Sequence, residues 1–270
     1  MNTTQTDSPG DGAEMARQLE EDGYAVLRNV YSRDEVGRFR DLTDAARTEA
    51  HAESVSARNE TYGFRNLIDV VPETRELLQN EQMVRLLYGL FDAPWFMTRS
   101  TLFDKTPRAN WGVFWHQDRA IAVTERHEVA RFSGWTRKAG IPCVQPPAEL
   151  MGRIIAARIH LDDAHQNNGA LRVLPGTHRD ALSESQIASS QARVNECIVE
   201  VNSGDVLLMN PLLLHASSPM DENEAGDLPT ARRVIHLEFA DFELPDPLQW
   251  RYRITPAQDG LPSNAPLQSE

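Results

Sequence analysis

Lysine is almost missing from this chain. Of its 27 basic residues only Lys105 and Lys138 are lysine, and the rest are arginine, which reads as a compositional habit and excludes no function by itself. Cysteine is nearly as scarce. Cys143 and Cys197 are too few for a disulfide framework and lack zinc-type spacing, so two reduced thiols in a cytoplasmic protein are expected. No run of apolar residues approaches the length that crosses a bilayer, so no membrane partner is expected. Met1 to Gly12 has neither a basic start nor an apolar stretch, so no secretory leader is read there. Positive charge is in deficit, 27 basic residues against 40 acidic for a net −13. That disfavours a nucleic-acid backbone or an anionic membrane as the main partner.

What is present suffices for one sizeable core: 270 residues, 40% of them apolar. Residues 1–12 are polar and expected to be disordered, and 13–242 to form a single domain, helical to about residue 94 and a barrel from about 95, followed by an extension over 243–270 packed on it. Glu14 to Glu21 reads as a helix closed by Asp22-Gly23. Tyr24 to Val30 alternates as a strand, and Ser32 with Glu35 forms a capping box opening a helix to about Ala50. Pro72 to Leu90 carries apolar residues at helical spacing in one or two helices. Short strands follow: Phe96–Phe103, Gly112–His116, Ile154–Leu161, Leu171–Leu174, Cys197–Val201, Val206–Asn210 and Arg233–Phe239. Helices followed by many short strands predict an α+β protein with a mainly β core, a β-sandwich or jelly-roll barrel. Arg119 to Leu150 shows no clear periodicity and is expected to be a lid or a substrate-binding wall.

The chemistry concentrates in Trp115-His116-Gln117-Asp118 and in a distant histidine, His215. Residues i and i+2 of a strand point to the same side, so His116 and Asp118 can hold one metal ion. A second imidazole completes a 2-His-1-carboxylate triad that leaves positions open on a non-haem Fe(II). A His-x-Asp pair arises easily by chance, and an isolated His215 would more often be a core residue, so the neighbours carry the argument. Apolar Trp111 to Trp115 delivers the first pair, and apolar Val206 to Leu214 delivers His215. Downstream, Ala231-Arg232-Arg233-Val234-Ile235-His236 starts a strand with guanidinium groups. A buried arginine needs an anion, such as the distal carboxylate of a dicarboxylic keto acid, and Ser217 could add a hydroxyl to the same carboxylate. One of the two arginines is expected instead to be a solvated, salt-bridged strand end.

These residues resemble the phytanoyl-CoA dioxygenase family of Fe(II)/2-oxoglutarate-dependent oxygenases. The shared pieces are Trp115-His116-Gln117-Asp118, then Leu161-Asp162-Asp163-Ala164 through Asn168-Gly169-Ala170-Leu171-Arg172-Val173-Leu174-Pro175-Gly176-Thr177-His178, then Leu214-His215-Ala216-Ser217 and Arg232-Arg233. They cover roughly residues 95–240, and Gly23 to Val36 also resembles the family's opening strand and helix. The resemblance implies a double-stranded β-helix, a cupin-like jelly roll. It implies His116, Asp118 and His215 as metal ligands and Arg232, with Ser217, as the 2-oxoglutarate partner. Thr101 and Arg158 stand where the family places further cosubstrate contacts, although Arg158 occupies a position that is often aromatic. Because Asp118 is retained, a halogenase variant is not expected.

Asn168-Gly169 and Pro175-Gly176 are turn signals, and His178 is read as non-ligating. His160 and His236 have inward parity on strands and are expected in core or supporting roles. For substrate, Arg65 and Asn66 belong to an N-terminal segment that could fold over the barrel mouth. Arg119, Gln145, Trp135, Arg137, Lys138 and Pro146 are candidates for a lid. The expected reaction uses Fe(II), 2-oxoglutarate and O2 to hydroxylate an unactivated C–H of a small molecule, releasing succinate and CO2. Two alternatives stand beside it: a cupin-like lyase or isomerase that does not use 2-oxoglutarate, and a non-catalytic small-molecule-binding barrel.

Overall fold

The structure is a computed structural model that describes residues 10–48, 54–57, 60–106, 110–221 and 231–256. Helix α1 (Gly10–Glu21) begins inside the segment expected to be disordered, so that expectation is corrected for residues 10–12. It ends as the turn chemistry requires. The Asp22 and Gly23 amides donate to the Gln18 and Leu19 carbonyls at 2.8 and 3.1 Å, with Gly23 at φ +83. Strand β1 (Tyr24–Leu27) follows, then α2 (Arg33–Thr48), opened by the Ser32–Glu35 capping box: the Glu35 carboxylate accepts from the Ser32 amide at 2.7 Å. The residues just beyond Thr48 lie outside the described set, so the expected end near Ala50 does too. A hairpin that the sequence did not announce, β2 (Ser54–Ala57) and β3 (Glu60–Phe64), precedes the short α3 (Leu67–Val70). The helical stretch over 72–90 divides into a 3-10 helix, Pro72–Gln79, and α4 (Glu81–Leu90). The division falls at Asn80, whose side chain caps α4 by accepting from the Met83 amide at 3.1 Å.

From here the chain is mostly strand. After β4 (Phe96–Lys105) and β5 (Val113–His116) comes the segment over 119–150. It is ordered rather than aperiodic: β6 (Ile121–Ala122), β7 (Ser133–Lys138) and β8 (Ile141–Gln145) form a three-stranded sheet, followed by α5 (Ala148–Met151). Its sequence shows no clear periodicity because β7 is exposed along nearly its whole length and its pairing with β8 is bulged between Ser133 and Thr136. Next come β9 (Ile155–His160) and β10 (Leu171–Val173). Helix α6 (Glu184–Arg193) was also not expected; none of its residues is buried, so it carries no apolar stripe, only a Ser183–Gln186 capping box. The last strands are β11 (Cys197–Val199), β12 (Val206–Met209), β13 (His215–Ser217) and β14 (Arg232–Ala240).

Two antiparallel sheets make the jelly roll. The larger runs β1-β12-β9-β14-β4-β3-β2 and the smaller β11-β10-β13-β5. At the centre of the larger sheet, β14 lies between β9 and β4. Its pleat divides the residues cleanly. Leu102, Ile159, Ile235 and Leu237 take one side and join a core with Leu77, Leu78, Val84 and Leu87 of the helices. Full burial of each such side chain contributes about 1.5–3 kcal/mol, which fastens the helical layer to the sheet. The opposite side is polar in a way a simple core would not tolerate: Arg99, Thr101, Lys105, Arg158, His160, Arg232, His236 and Glu238 fall on it by register. That polar side is the barrel interior.

The segment beyond Phe242 packs on the barrel through Leu244, Leu248 and Trp250, and Trp250 donates its indole N–H to the Phe242 carbonyl at 3.0 Å. Among the described residues no helix is long and apolar enough to cross a membrane.

Candidate active site

Strands β5 and β13 pair with His116 directly opposite His215, and their rings stand 4.2 Å apart between centroids. Asp118 follows just past the end of β5, where its amide donates to the Pro211 carbonyl at 2.9 Å. Its two carboxylate oxygens lie 3.7 Å from His116 Nε2 and 3.5 Å from His215 Nε2. The three ligand-type atoms all fall within 4.8 Å of one another. Donors about 2.1 Å from one ion at right angles would be about 3 Å apart, so a small contraction accommodates a metal.

The backbone fixes the tautomers. His116 Nδ1 lies 2.9 Å from the Phe114 carbonyl and His215 Nδ1 lies 2.8 Å from the Leu213 carbonyl. A carbonyl only accepts, so each Nδ1 carries a hydrogen and Nε2 is the ring nitrogen on the Asp118 side that would ligate a metal. Gln117, between the two residues of the motif, points away and clamps the loop: its amide donates to the Asp180 and Leu212 carbonyls at 2.8 and 2.5 Å and accepts from the Leu182 amide at 2.8 Å. Burial pushes His215 down to about 4, although Asp118 pulls the other way, so the imidazole is neutral at physiological pH. Burial alone would raise the Asp118 carboxyl, but His215, His236, His116 and Arg99 around it outweigh this and hold it well below the usual carboxylate range. Two imidazoles and an ionised carboxylate form a donor set that suits a divalent transition metal.

Beside the triad lies a chamber of positive charge. Arg232 is 3% exposed, and its Nε and Nη1 have no partner within the protein. Arg158 is buried as well, with Nε unpartnered and Nη1 3.4 Å from His236 Nδ1. Burial lowers Arg158 to about 10; burial and then the nearby Arg158 lower Arg232 to about 9. His160 has both ring nitrogens unpartnered, and burial with Arg158 and Arg232 keeps it neutral. Buried guanidinium donors without partners fit the distal carboxylate of 2-oxoglutarate. Ser217 also lies in this chamber, 6% exposed and opposite Leu171 on β10. Arg233 takes the other side of its strand, bonded to Asp162 at 2.8 Å and to Asp44 at 3.0 Å.

A cavity opens beside Asp118. Thr101 lines it, buried, with its hydroxyl donating to the Arg65 carbonyl at 3.3 Å. Exposed Arg65, buried Asn66 and exposed Lys138 line it too, so the sheet from the 119–150 segment supplies part of its wall. The structure does not bring Arg119 or Gln145 there. Arg119 reaches toward the Leu182 carbonyl at 3.5 Å, and Gln145 packs where a Cβ on Gly134 would meet its Cδ at 2.8 Å. Trp135 stacks under Arg126, and Arg137 bonds the Gly140 carbonyl, so both are occupied elsewhere. Sequence reasoning missed Arg99, which is ion-paired with Glu238 at 3.0 Å and donates to the Ala120 carbonyl at 2.7 Å, and it missed Phe103. The parity of β4 could have found both, because they share the pleat of Thr101. His178 is structural: its ring sits where a Cβ on Gly23 would be, 2.5 Å from Nδ1.

A family model for phytanoyl-CoA dioxygenase (PhyH) matches residues 19–221. The peroxisomal phytanoyl-CoA dioxygenase of Rattus norvegicus is 24% identical over 232 residues, 76% of this chain; the chain spans 62% of that protein's length. Among solved structures, AviO1 from Streptomyces viridochromogenes Tue57 is 25% identical with a TM-score of 0.63, over 88% of this chain and 98% of that one. The apoform of EctD from S. alaskensis has the same fold at a TM-score of 0.69 and 18% identity, over 97% of this chain and 90% of that one. With the match running from α1 to beyond β13, this chain belongs to the phytanoyl-CoA dioxygenase family of Fe(II)/2-oxoglutarate-dependent oxygenases.

Proposed function

We propose that this protein is an Fe(II)- and 2-oxoglutarate-dependent oxygenase that hydroxylates an unactivated C–H of a small anionic molecule. The observation that carries the reading is the convergence of His116, Asp118 and His215 next to a buried cationic chamber with orphaned donors. His116, Asp118 and His215 would hold the iron, and Arg232 with Ser217 would hold the distal carboxylate of 2-oxoglutarate. Thr101 and Arg158 lie on the same interior side, as further cosubstrate contacts require. When bound, the iron and its cosubstrate supply the oxidising chemistry, in which O2 delivers one oxygen atom to the substrate and one to the succinate formed as 2-oxoglutarate loses CO2.

The protein's own work is positioning and exclusion. Gln117 keeps the ligand loop in place, and the two backbone carbonyls keep both imidazoles aimed. Arg99, fixed by Glu238, braces the Ala120 carbonyl two residues past Asp118. Arg65 and Lys138 are exposed cations at the cavity, while Phe103, Ile141 and Cys143 give it an apolar wall. A ligand with one anionic group and a compact apolar body suits that lining.

The test is succinate release and O2 uptake in the presence of Fe(II) and 2-oxoglutarate, over a panel of acidic and neutral small molecules. Substrate-stimulated succinate release, lost without iron or without 2-oxoglutarate, is the expected result. Turnover of a substrate with no need for 2-oxoglutarate would overturn the reaction class. Preference for neutral molecules, unchanged in Arg65→Ala and Lys138→Ala, would overturn the anionic substrate.

A further inference from the structure

Only two lysines occur in this arginine-rich chain, and one of them, Lys105, is completely buried. It lies at the end of β4 directly across from Arg232 on β14, so both side chains enter the barrel on the same side. Its ammonium crosses from the larger sheet to the smaller. Nζ donates to the Ser218 carbonyl at 2.6 Å and lies 3.4 Å from the Ser217 hydroxyl. The Asn168-Gly169 turn makes room for it. Gly169 has φ +82, and a Cβ there would stand 2.7 Å from Lys105 Nζ. The glycine of the turn motif thus serves a close approach as well as a backbone conformation.

An arginine in place of this lysine would extend a planar fork into the space that Gly169 and Ser218 enclose; a compact ammonium fits. The Trp111 ring lies 5.5 Å from Nζ between centroid and nitrogen, but a ring face does not neutralise the charge. Among the described residues no carboxylate pairs with Lys105, Arg158 or Arg232, and burial, then Arg232 and Arg158, push Lys105 down to about 7. Three buried cations facing one another are unfavourable unless an anion joins them. One guanidinium could be a single misplaced charge; a lysine and an arginine set opposite each other, with the Ser217 hydroxyl 3.4 Å from the lysine ammonium, form a built anion site.

Building on the 2-oxoglutarate reading above, we propose that Lys105 is a second cationic ligand of the cosubstrate's distal carboxylate, bound between its ammonium, the Arg232 guanidinium and the Ser217 hydroxyl. Lys105 then selects for a dicarboxylate and sets cosubstrate affinity, while Gly169 keeps its ammonium in reach.

The scarcity of lysine makes a direct test possible. Protein grown with 13Cε-labelled lysine gives two side-chain signals, and Lys138→Arg leaves Lys105 alone. The full chain loaded with diamagnetic Zn(II) is titrated with 2-oxoglutarate, and the same titration is followed by calorimetry in wild type, Lys105→Met and Arg232→Met. Saturable movement of the Lys105 signal is expected, with an affinity at least about tenfold weaker in Lys105→Met. In the iron enzyme the KM for 2-oxoglutarate should rise in Lys105→Met while the KM for the prime substrate stays, a split that a purely structural lysine would not produce. An unmoved Lys105 signal in a protein that binds 2-oxoglutarate through Arg232 overturns the proposal and leaves the reading of the site intact. Failure of the wild-type protein to bind 2-oxoglutarate at all would overturn that reading, and this proposal with it. The wild-type signal decides the matter even if Lys105→Met does not fold.

Discussion

Arg232 and Arg233 are consecutive on β14 and face opposite sides of it. Arg232 is buried in the barrel with two unpartnered nitrogens, whereas Arg233 lies in a network with Asp162 and Asp44 on the side of α2. The pleat of one strand thus sends two identical side chains into different surroundings, one into a buried cluster of cations and one into an ion-paired network.

Their substitutions should separate accordingly. Arg232→Met should abolish measurable saturation by 2-oxoglutarate yet raise the melting temperature of the cosubstrate-free protein, because an unpaired buried charge is replaced by an apolar chain of similar length, worth about 1–4 kcal/mol. Arg233→Met should leave the KM for 2-oxoglutarate near wild type and cost about 1.5–3 kcal/mol of stability through its lost charged hydrogen bonds. Steady-state kinetics and thermal unfolding of both variants check this; reversal of the two kinetic phenotypes would exchange the roles.

His116→Ala and Asp118→Ala should each lower metal affinity at least about 100-fold, beyond what loss of a supporting residue does. Metal content after dialysis, together with succinate formation in the absence of prime substrate, gives the readout. Full uncoupled turnover in either variant would remove the triad from the mechanism.

Gln117 carries a separable effect. Gln117→Leu leaves three backbone groups at Asp180, Leu182 and Leu212 without their partner, a loss of about 1–3 kcal/mol seen as a lower melting temperature. Metal affinity should fall about 10–100-fold even though no ligand is removed, because the loop bearing Asp118 loosens. A variant that melts early but binds metal normally would restrict Gln117 to stability.

The metal-free protein should lose stability on mild acidification. His215 is held near 4 when folded, against the model-peptide value of about 6.5 when unfolded. Between these values the unfolded chain binds the extra proton, so stability rises with pH from about 4 to about 6.5, by on the order of 3 kcal/mol. His160, also held neutral by burial, adds in the same direction. Urea unfolding across this range should show the slope, and His215→Gln should flatten it. An unchanged slope would mean that His215 is not buried as a neutral imidazole.

Much of this was legible in one dimension. The capping box at Ser32 and Glu35, the C-cap at Gly23 and the apolar runs of β4, β9, β12 and β14 are local features, fixed by residue chemistry within a few positions, and they appear in the structure where the sequence placed them. The elements that were missed lack such local signals. Strand β7 is exposed on almost every residue, α6 buries nothing, and β13 is buried at all three of its residues, so none has a periodicity to read. Arg119 is a candidate because it directly follows the motif and Gln145 because it lies in the insertion, but the Arg119 side chain reaches toward the Leu182 carbonyl and Gln145 packs beside Gly134.

By itself the sequence determined the residue types that the chemistry needs, in the motif Trp115-His116-Gln117-Asp118, His215 and the arginine pair, and with them the family. Only the tertiary structure decided which arginine turns inward, that a net acidic chain encloses a cationic chamber, and that one of its two lysines stands within it. The reason is physical. Composition averages charge over the surface, whereas function depends on the few groups that strand register places face to face out of water, and register is set by pairings between strands far apart in the chain.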